Sequence, residues 1–142
     1  MRAPLRSLLG ILAVATLLAA ATAAFRPEAR ALLRDAPRAD ETTLAAARDH
    51  RGPLLWLDAR PAADFARAHI PEALPLTADD WDAQIVAVIQ RWQPGTRVIV
   101  YCDDRACGTS RHVADKLRRE YQFDDVRVLH GGWQAWMEAS AR

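Results

Sequence analysis

Two cysteines stand five positions apart in "YCDDRACGTSRH", residues 101–112, with two acids and an arginine between them. A cysteine becomes a nucleophile when its thiolate is stabilised by a cation, a helix N-terminus or inward-facing backbone amides. Cys102 directly follows the apolar run "RVIVY" (97–101), and a helical pattern starts at Thr109 or Ser110. In an open parallel sheet, ligands bind beyond the carboxyl ends of the strands. Cys102 therefore occupies a place where chemistry is expected. The loop it opens can turn the amides of residues 103–108 inward, and such a nest holds a thiolate or an anion. Asp103 and Asp104 act against this, since negative charge beside the sulfur raises its pKa. They are expected to face solvent, with Arg105 or Arg111 offsetting them. Asp103, Asp104, Arg105, Ala106, Cys107, Gly108 and Arg111 make up the candidate substrate-binding set.

Cys107 lies mid-loop and admits three readings: a resolving thiol, a structural disulfide partner for Cys102, or a small loop filler. Phosphatase or arsenate-reductase chemistry needs Cys-x5-Arg, so that the arginine grips the oxyanion. Gly108 and Val113 stand six residues after the two cysteines, so that spacing fails. His130 precedes Gly131-Gly132 at another expected strand end, where it serves as a general base or simply as a turn residue. Trp81, Trp92, Trp133 and Trp136 are expected in the core. No Cys/His spacing resembles a zinc site, and no metal or organic cofactor is expected.

The elements that must position Cys102 are readable from periodicity and breakers. "TTLAAARDH" (42–50) reads as a short helix capped by Thr42 or Thr43, ended by Gly52-Pro53. "LLWLDAR" (54–60) is a buried strand, too short and too evenly apolar for a helix. "PAADFARAH" (61–69) starts a helix at Pro61 with Phe65 on its apolar side. "IPEALPL" (70–76) is extended, because two prolines restrict it. In residues 78–92, Trp81, Ile85, Val88, Ile89 and Trp92 form one helical stripe. "RVIVY" is the second strand, and Val113, Leu117 and Tyr121 mark the helix after the cysteine loop. "VRVL" (126–129) is a third strand, and "WQAWMEA" (133–139) closes the chain as a helix. Strands alternating with helices give an α/β domain, a central parallel sheet flanked by helices.

The chain has 142 residues, 51% hydrophobic and 26% charged, which suits one globular domain. Net charge is +1 with scattered basic residues, so no nucleic-acid footprint is expected. Residues 1–24 stand apart: Arg2 and Arg6, no acid, then an apolar run from Leu8 to Ala24. This is a signal peptide or a transmembrane anchor, preceding the fold as a hydrophobic helix. Ala21-Thr22-Ala23 fits a cleavage site, yet the alanines equally finish a short span, and both readings stay open. Arg2 and Arg6 hold the N-terminus inside and send the remainder across. The expected setting is an inner-membrane anchor with a periplasmic or extracellular domain, or secretion to the periplasm after cleavage. Without the leader, 17 basic residues face 18 acidic ones. Residues 25–41 read as a juxtamembrane tether and 42–142 as the domain.

A family resemblance emerges from these stretches taken in order. "LLWLDARPAADFARAHIPEALPL" resembles the early signature of the rhodanese-like sulfurtransferases, with Asp58, Arg60 and the turn His69-Ile70-Pro71-Glu72-Ala73. "RVIVYCDD" is similar to the strand that delivers that family's nucleophile, and "VRVLHGGWQAW" to its closing strand, Gly-Gly turn and aromatic helix. The resemblance runs from about Thr42 to Ala139. It implies a catalytic Cys102 that carries sulfane sulfur as a persulfide, with a sulfur-containing anion such as thiosulfate as donor and a thiol or cyanide as acceptor. Asp58, Arg60 and His69 are implied to be structural. Family loops often read Cys-x-x-Gly-x-Arg-Ser. Taking Ser110 as the matching serine, this loop is about two residues longer, with Arg105 where glycine is common and Cys107 where arginine is common. The competing expectations are a membrane-anchored, non-enzymatic binding module and a thiol-redox protein using a Cys102–Cys107 disulfide.

Overall fold

The structure is a computed structural model that describes residues 15–16, 36–103 and 108–141. The expected leader and most of the expected tether lie outside the described residues, as do Asp104, Arg105, Ala106 and Cys107. Among the described residues no helix is long and apolar enough to cross a membrane. The chain divides at Ala36, and the unit of interest is Pro37–Arg142.

Five strands form one parallel sheet: β1 (Glu41–Thr42), β2 (Leu54–Asp58), β3 (Leu74–Pro75), β4 (Arg97–Tyr101) and β5 (Asp125–Leu129), in the order β1-β5-β4-β2-β3. Among the described residues of this unit, five helices accompany them: α1 (Leu44–Arg48), α2 (Ala62–Arg67), α3 (Trp81–Arg91), α4 (Gly108–Glu120) and α5 (Gly132–Ser140). The three long strands agree closely with the sequence reading. β1 and β3 are two-residue edge strands, too short to leave a period-2 signature. β3 tolerates Pro75 because an edge strand has a side where no ladder N–H is needed. Neither Glu41 nor Thr42 belongs to a helix; Thr43 is the cap of α1, its hydroxyl accepting from the Ala46 N–H at 3.2 Å.

Strand alternation divides the core in two. Leu55, Leu57, Val98, Val100, Val126 and Val128 face Trp81, Ile85 and Val88 of α3 and Val113, Ala114 and Leu117 of α4. Ile99, Tyr101 and Leu129 face the other way, with Leu44 and Ala47 of α1, Ile70, Ala73, and the half-buried Trp133 and Trp136 of α5. Each fully buried Val, Leu or Ile in these layers contributes roughly 1.5–3 kcal/mol. Trp81 is buried, and Trp92 stacks on Phe123 with centroids 4.3 Å apart, so the tryptophans are packing residues as expected. The α3 stripe is narrower than the sequence suggested, because Ile89 is 46% exposed. At 100° per residue Ile89 lies roughly 80° round from Trp81, at the edge of the buried face.

From β2 the chain passes through α2 to β3 on one side. From β4 it passes through α4 to β5 on the other. The switch point, where an open α/β sheet forms its crevice, thus falls between the carboxyl ends of β2 and β4.

Candidate active site

Cys102 follows the central strand β4 at that switch point. The residue is 2% exposed, and its Sγ lies 3.1 Å from the Oγ of Ser110, in the first turn of α4. The N-terminal end of this 13-residue helix brings partial positive charge toward the sulfur, which favours the thiolate. Cys102 is disulfide-bonded in the structure. The chain has one other cysteine, Cys107, outside the described residues.

The peptide after Cys102 is clasped from the first turn of α5. The Trp133 N–H donates to the Cys102 carbonyl at 2.7 Å, and the Gln134 N–H donates to the Asp103 carbonyl at 3.2 Å. This approach requires the glycine pair. Gly131 and Gly132 have φ of +78° and +53°, and a Cβ on Gly132 would overlap the Cys102 carbonyl oxygen and meet the Asp103 backbone at 3.1 Å. Gly132→Ala is accordingly expected to destabilise the domain by roughly 2–4 kcal/mol, from left-handed strain plus overlap. Thermal unfolding checks this, and the alkylation rate of reduced Cys102 reports the displaced loop.

Below the cysteine, the end of β2 is held by a buried ion pair. Asp58 and Arg60 are 0% and 3% exposed. Arg60 donates from Nε and Nη2 to the two Asp58 oxygens at 3.0 and 2.7 Å, and from Nη2 to the Ala68 carbonyl at 2.7 Å. Its guanidinium lies 4.3 Å from the Trp133 ring centroid. The Tyr101 hydroxyl accepts from the Ile70 N–H at 3.1 Å, and burial together with its hydrogen bond to Asp58 pushes its pKa above the usual phenol value. Asp58 and Arg60 thus tie β2, the 68–70 turn and the α5 start to the strand that delivers Cys102. His69 is exposed, stacked on Phe65 at 4.1 Å, and donates from Nδ1 to the Phe65 carbonyl at 2.9 Å.

Arg111, a candidate for attracting an anion, already has acidic partners. Its Nη2 donates to Glu41 Oε1 at 2.7 Å, and its Nε lies 3.8 Å from Asp40. His130 Nδ1 donates to the other Glu41 oxygen at 2.9 Å. Asp103 is exposed.

Glu41 was the residue that the sequence concealed, placed at the end of the tether. It is instead part of β1, and Asp40 and Ala39 also accept hydrogen bonds, from the Val128 N–H and Arg127. Its partners stand 70 and 89 positions away, so no local pattern could reveal it.

Burial alone pushes the Glu41 carboxyl up. Hydrogen bonds from His130, the Arg38 N–H and Arg111 outweigh it and lower the pKa from 4.5 to about 2. A depressed carboxyl contributes stability that is complete above its unfolded pKa and lost as pH falls through the folded one. This contribution, roughly 3 kcal/mol, is expected to disappear between about pH 4.5 and pH 2. Urea midpoints measured across that window should fall in the wild type and flatten in Glu41→Gln.

A cavity of about 370 Å³ opens beside the cysteine loop, lined by Ala59 and Pro61 after β2, Thr77 after β3, Asp79, Asp80 and Thr109 of α4. Thr109 adjoins Ser110, the neighbour of the Cys102 sulfur.

The comparison with known families agrees with this geometry: the rhodanese-like domain profile matches residues 41–139. The chain belongs to the rhodanese-like domain family. Two solved structures share the architecture. The BH2092 protein of Bacillus halodurans is 24% identical, with 70% of this chain and 72% of that chain covered and a TM-score of 0.57. The N-terminal domain of a Clostridium difficile 630 protein described as an ATP/GTP binder is 12% identical, with 72% and 99% covered and a TM-score of 0.53. At these identities the likeness concerns the fold. As in the sequence reading, the rhodanese-like region of this chain ends in the aromatic helix; it begins at Glu41, which that reading had left in the tether.

Proposed function

We propose that this rhodanese-like domain is a sulfurtransferase with Cys102 as nucleophile. The observation that carries the reading is the position of Cys102: it follows the central strand at the sheet's switch point, with Ser110 Oγ and the α4 N-terminus beside its sulfur. In the first half-reaction the Cys102 thiolate attacks the outer sulfur of a donor such as thiosulfate. The donor's S–S bond breaks, its electron pair leaves with sulfite, and Cys102 retains a persulfide. In the second, an acceptor thiolate or cyanide attacks the outer persulfide sulfur, and the electron pair returns to Cys102. No metal or organic cofactor enters either step. The amide cradle read from the sequence for residues 103–108 is part of this proposal, residues 104–107 lying outside the described residues. The apolar leader supports an exported setting, anchored through residues 8–24 or released after cleavage.

A second reading is favoured by the disulfide at Cys102. A bond to Cys107 would block persulfide formation until a dithiol supplied two electrons and two protons. Cys107 would then act as a resolving thiol, and the protein would be a redox-controlled transferase or a thiol-redox protein.

Intact-mass analysis of the reduced protein, with and without thiosulfate, tests both. A gain of one sulfur that vanishes in Cys102→Ser supports transfer. Loss of two hydrogens on oxidation, blocked by Cys102→Ser and by Cys107→Ser, supports the disulfide. If the wild type gains no sulfur from thiosulfate or from an organic persulfide, the transfer reading fails and a non-enzymatic binding module takes its place.

A further inference from the structure

The cavity beside the cysteine loop carries an uncompensated charge. Asp79 and Asp80 are exposed on its wall, and among the described residues neither carboxylate is paired with a cation. Asp80 occupies the N-cap position of α3 but makes no side-chain capping bond, so its carboxylate is not held by that helix. Among the described residues, the two arginines closest in sequence to the lining residues Ala59, Pro61 and Thr109 already have acidic partners. Arg60 is buried against Asp58, and Arg111 is held by Glu41 and Asp40. Glu41 also takes the Nδ1 of His130. The loop sequence Asp104–Cys107 contains one acid and one base and leaves the formal sum unchanged. A volume of about 370 Å³ suits a small molecule. Thr109 adds a hydroxyl group to the same wall, while the Thr77 hydroxyl is taken up by the Asp80 N–H and Gln84.

We propose that this cleft receives the sulfur acceptor, and that Asp79 and Asp80 select a small aminothiol, a thiol bearing an ammonium group, over an anionic thiol. The proposal rests on the sulfurtransferase reading and names its acceptor class. The acceptor's thiol first loses its proton to solvent. Its thiolate attacks the outer sulfur of the Cys102 persulfide, the S–S bond to Cys102 breaks, and Cys102 leaves as thiolate. One persulfide is exchanged for another, with no net oxidation. The ammonium group meanwhile lies toward the two carboxylates. Two unit charges at roughly 8 Å in a water-like dielectric together correspond to about a fivefold rate difference per unit of acceptor charge.

The test reduces the protein, removes the reductant, loads Cys102 with thiosulfate, removes excess donor, and follows persulfide decay by mass with cysteamine, 2-mercaptoethanol or 3-mercaptopropionate. Each acceptor is compared between wild type and Asp79→Asn/Asp80→Asn, so that intrinsic thiolate reactivity cancels. At low ionic strength, and relative to mercaptoethanol, whose thiolate charge all three acceptors share, the double variant is expected to slow cysteamine about fivefold and speed mercaptopropionate about fivefold. In wild type, added salt should shift the charged acceptors in the same directions. Ratios that are equal across the three acceptors overturn the acceptor assignment while leaving sulfur transfer standing. A wild type that never loads sulfur overturns both, and the two failures are distinguished by the loading step. Asp79→Lys/Asp80→Lys, also on the exposed rim, provides a second variant: with two positive charges in place of two negative ones it should reverse the order of preference if the assignment holds.

Discussion

Cys102→Ser is expected to lower sulfur transfer by a factor on the order of 10⁴ or more, the loss seen when an activated nucleophile is removed. Serine fits the site sterically, because residue 102 sits beside a hydroxyl already, with Ser110 Oγ 3.1 Å from its sulfur. Its hydroxyl, however, is a far weaker nucleophile and cannot form a persulfide. The change also removes any disulfide at that position, so Cys107→Ser is the necessary control. That variant loses the disulfide while keeping the proposed nucleophile, and after reduction it should retain transfer. Persulfide formation by intact mass, alongside sulfite release from thiosulfate, measures both. Equal activity of Cys102→Ser and the reduced wild type would remove Cys102 from the mechanism.

Asp58→Ala should have the largest effect on stability. Asp58 is 0% exposed and its carboxylate takes both Nε and Nη2 of Arg60, itself 3% exposed. Truncating the acid leaves a guanidinium buried without its partner, which typically costs 3–5 kcal/mol, here taken as about 4 kcal/mol. Against a domain stability of roughly 5–15 kcal/mol, that change removes a large fraction, and the unfolding midpoint should fall by roughly 15–30 °C. The Tyr101 hydroxyl loses its carboxylate partner in the same step. Asp58→Leu combined with Arg60→Met removes both charges and should recover much of the loss, since a buried ion pair is often replaceable by apolar packing. Urea denaturation of the three proteins checks the sign. A single variant no less stable than the double would show that the pair is not the lock on the β2 end.

The two predictions separate chemistry from scaffold, and the same separation governs what was readable in advance. β2, β4 and β5 were legible because unbroken apolar runs bounded by Gly or Pro have few alternatives. The faces of α3 and α4 were legible because Trp81, Ile85 and Val88, and Val113 and Leu117, recur at helical spacing. β1 and β3 were not, because two residues carry no period and exist as strands only through their neighbours. Arg111 had the right position for an anion clamp, one residue past Ser110. Its partner Glu41 lies 70 residues away, and pairing across that separation follows from topology alone. Asp79 and Asp80 drew no attention in sequence, where two acids before a helix read as ordinary N-terminal residues. Their place on a cavity wall beside Thr109 depends on how α3 and α4 pack on one sheet face.

From its residues alone the chain determined an α/β domain with Cys102 at the end of a central strand. Hydrophobic period and breaker positions act within ten or so residues and survive any rearrangement of the rest. The ordered motifs around Asp58, Cys102 and Gly131-Gly132 determined the family. Only the tertiary structure decided which charges remain uncompensated at the site, because Coulomb interactions depend on distance in space. Folding brought Glu41 to Arg111 and His130, sealed Asp58 against Arg60, and left Asp79 and Asp80 facing the cleft.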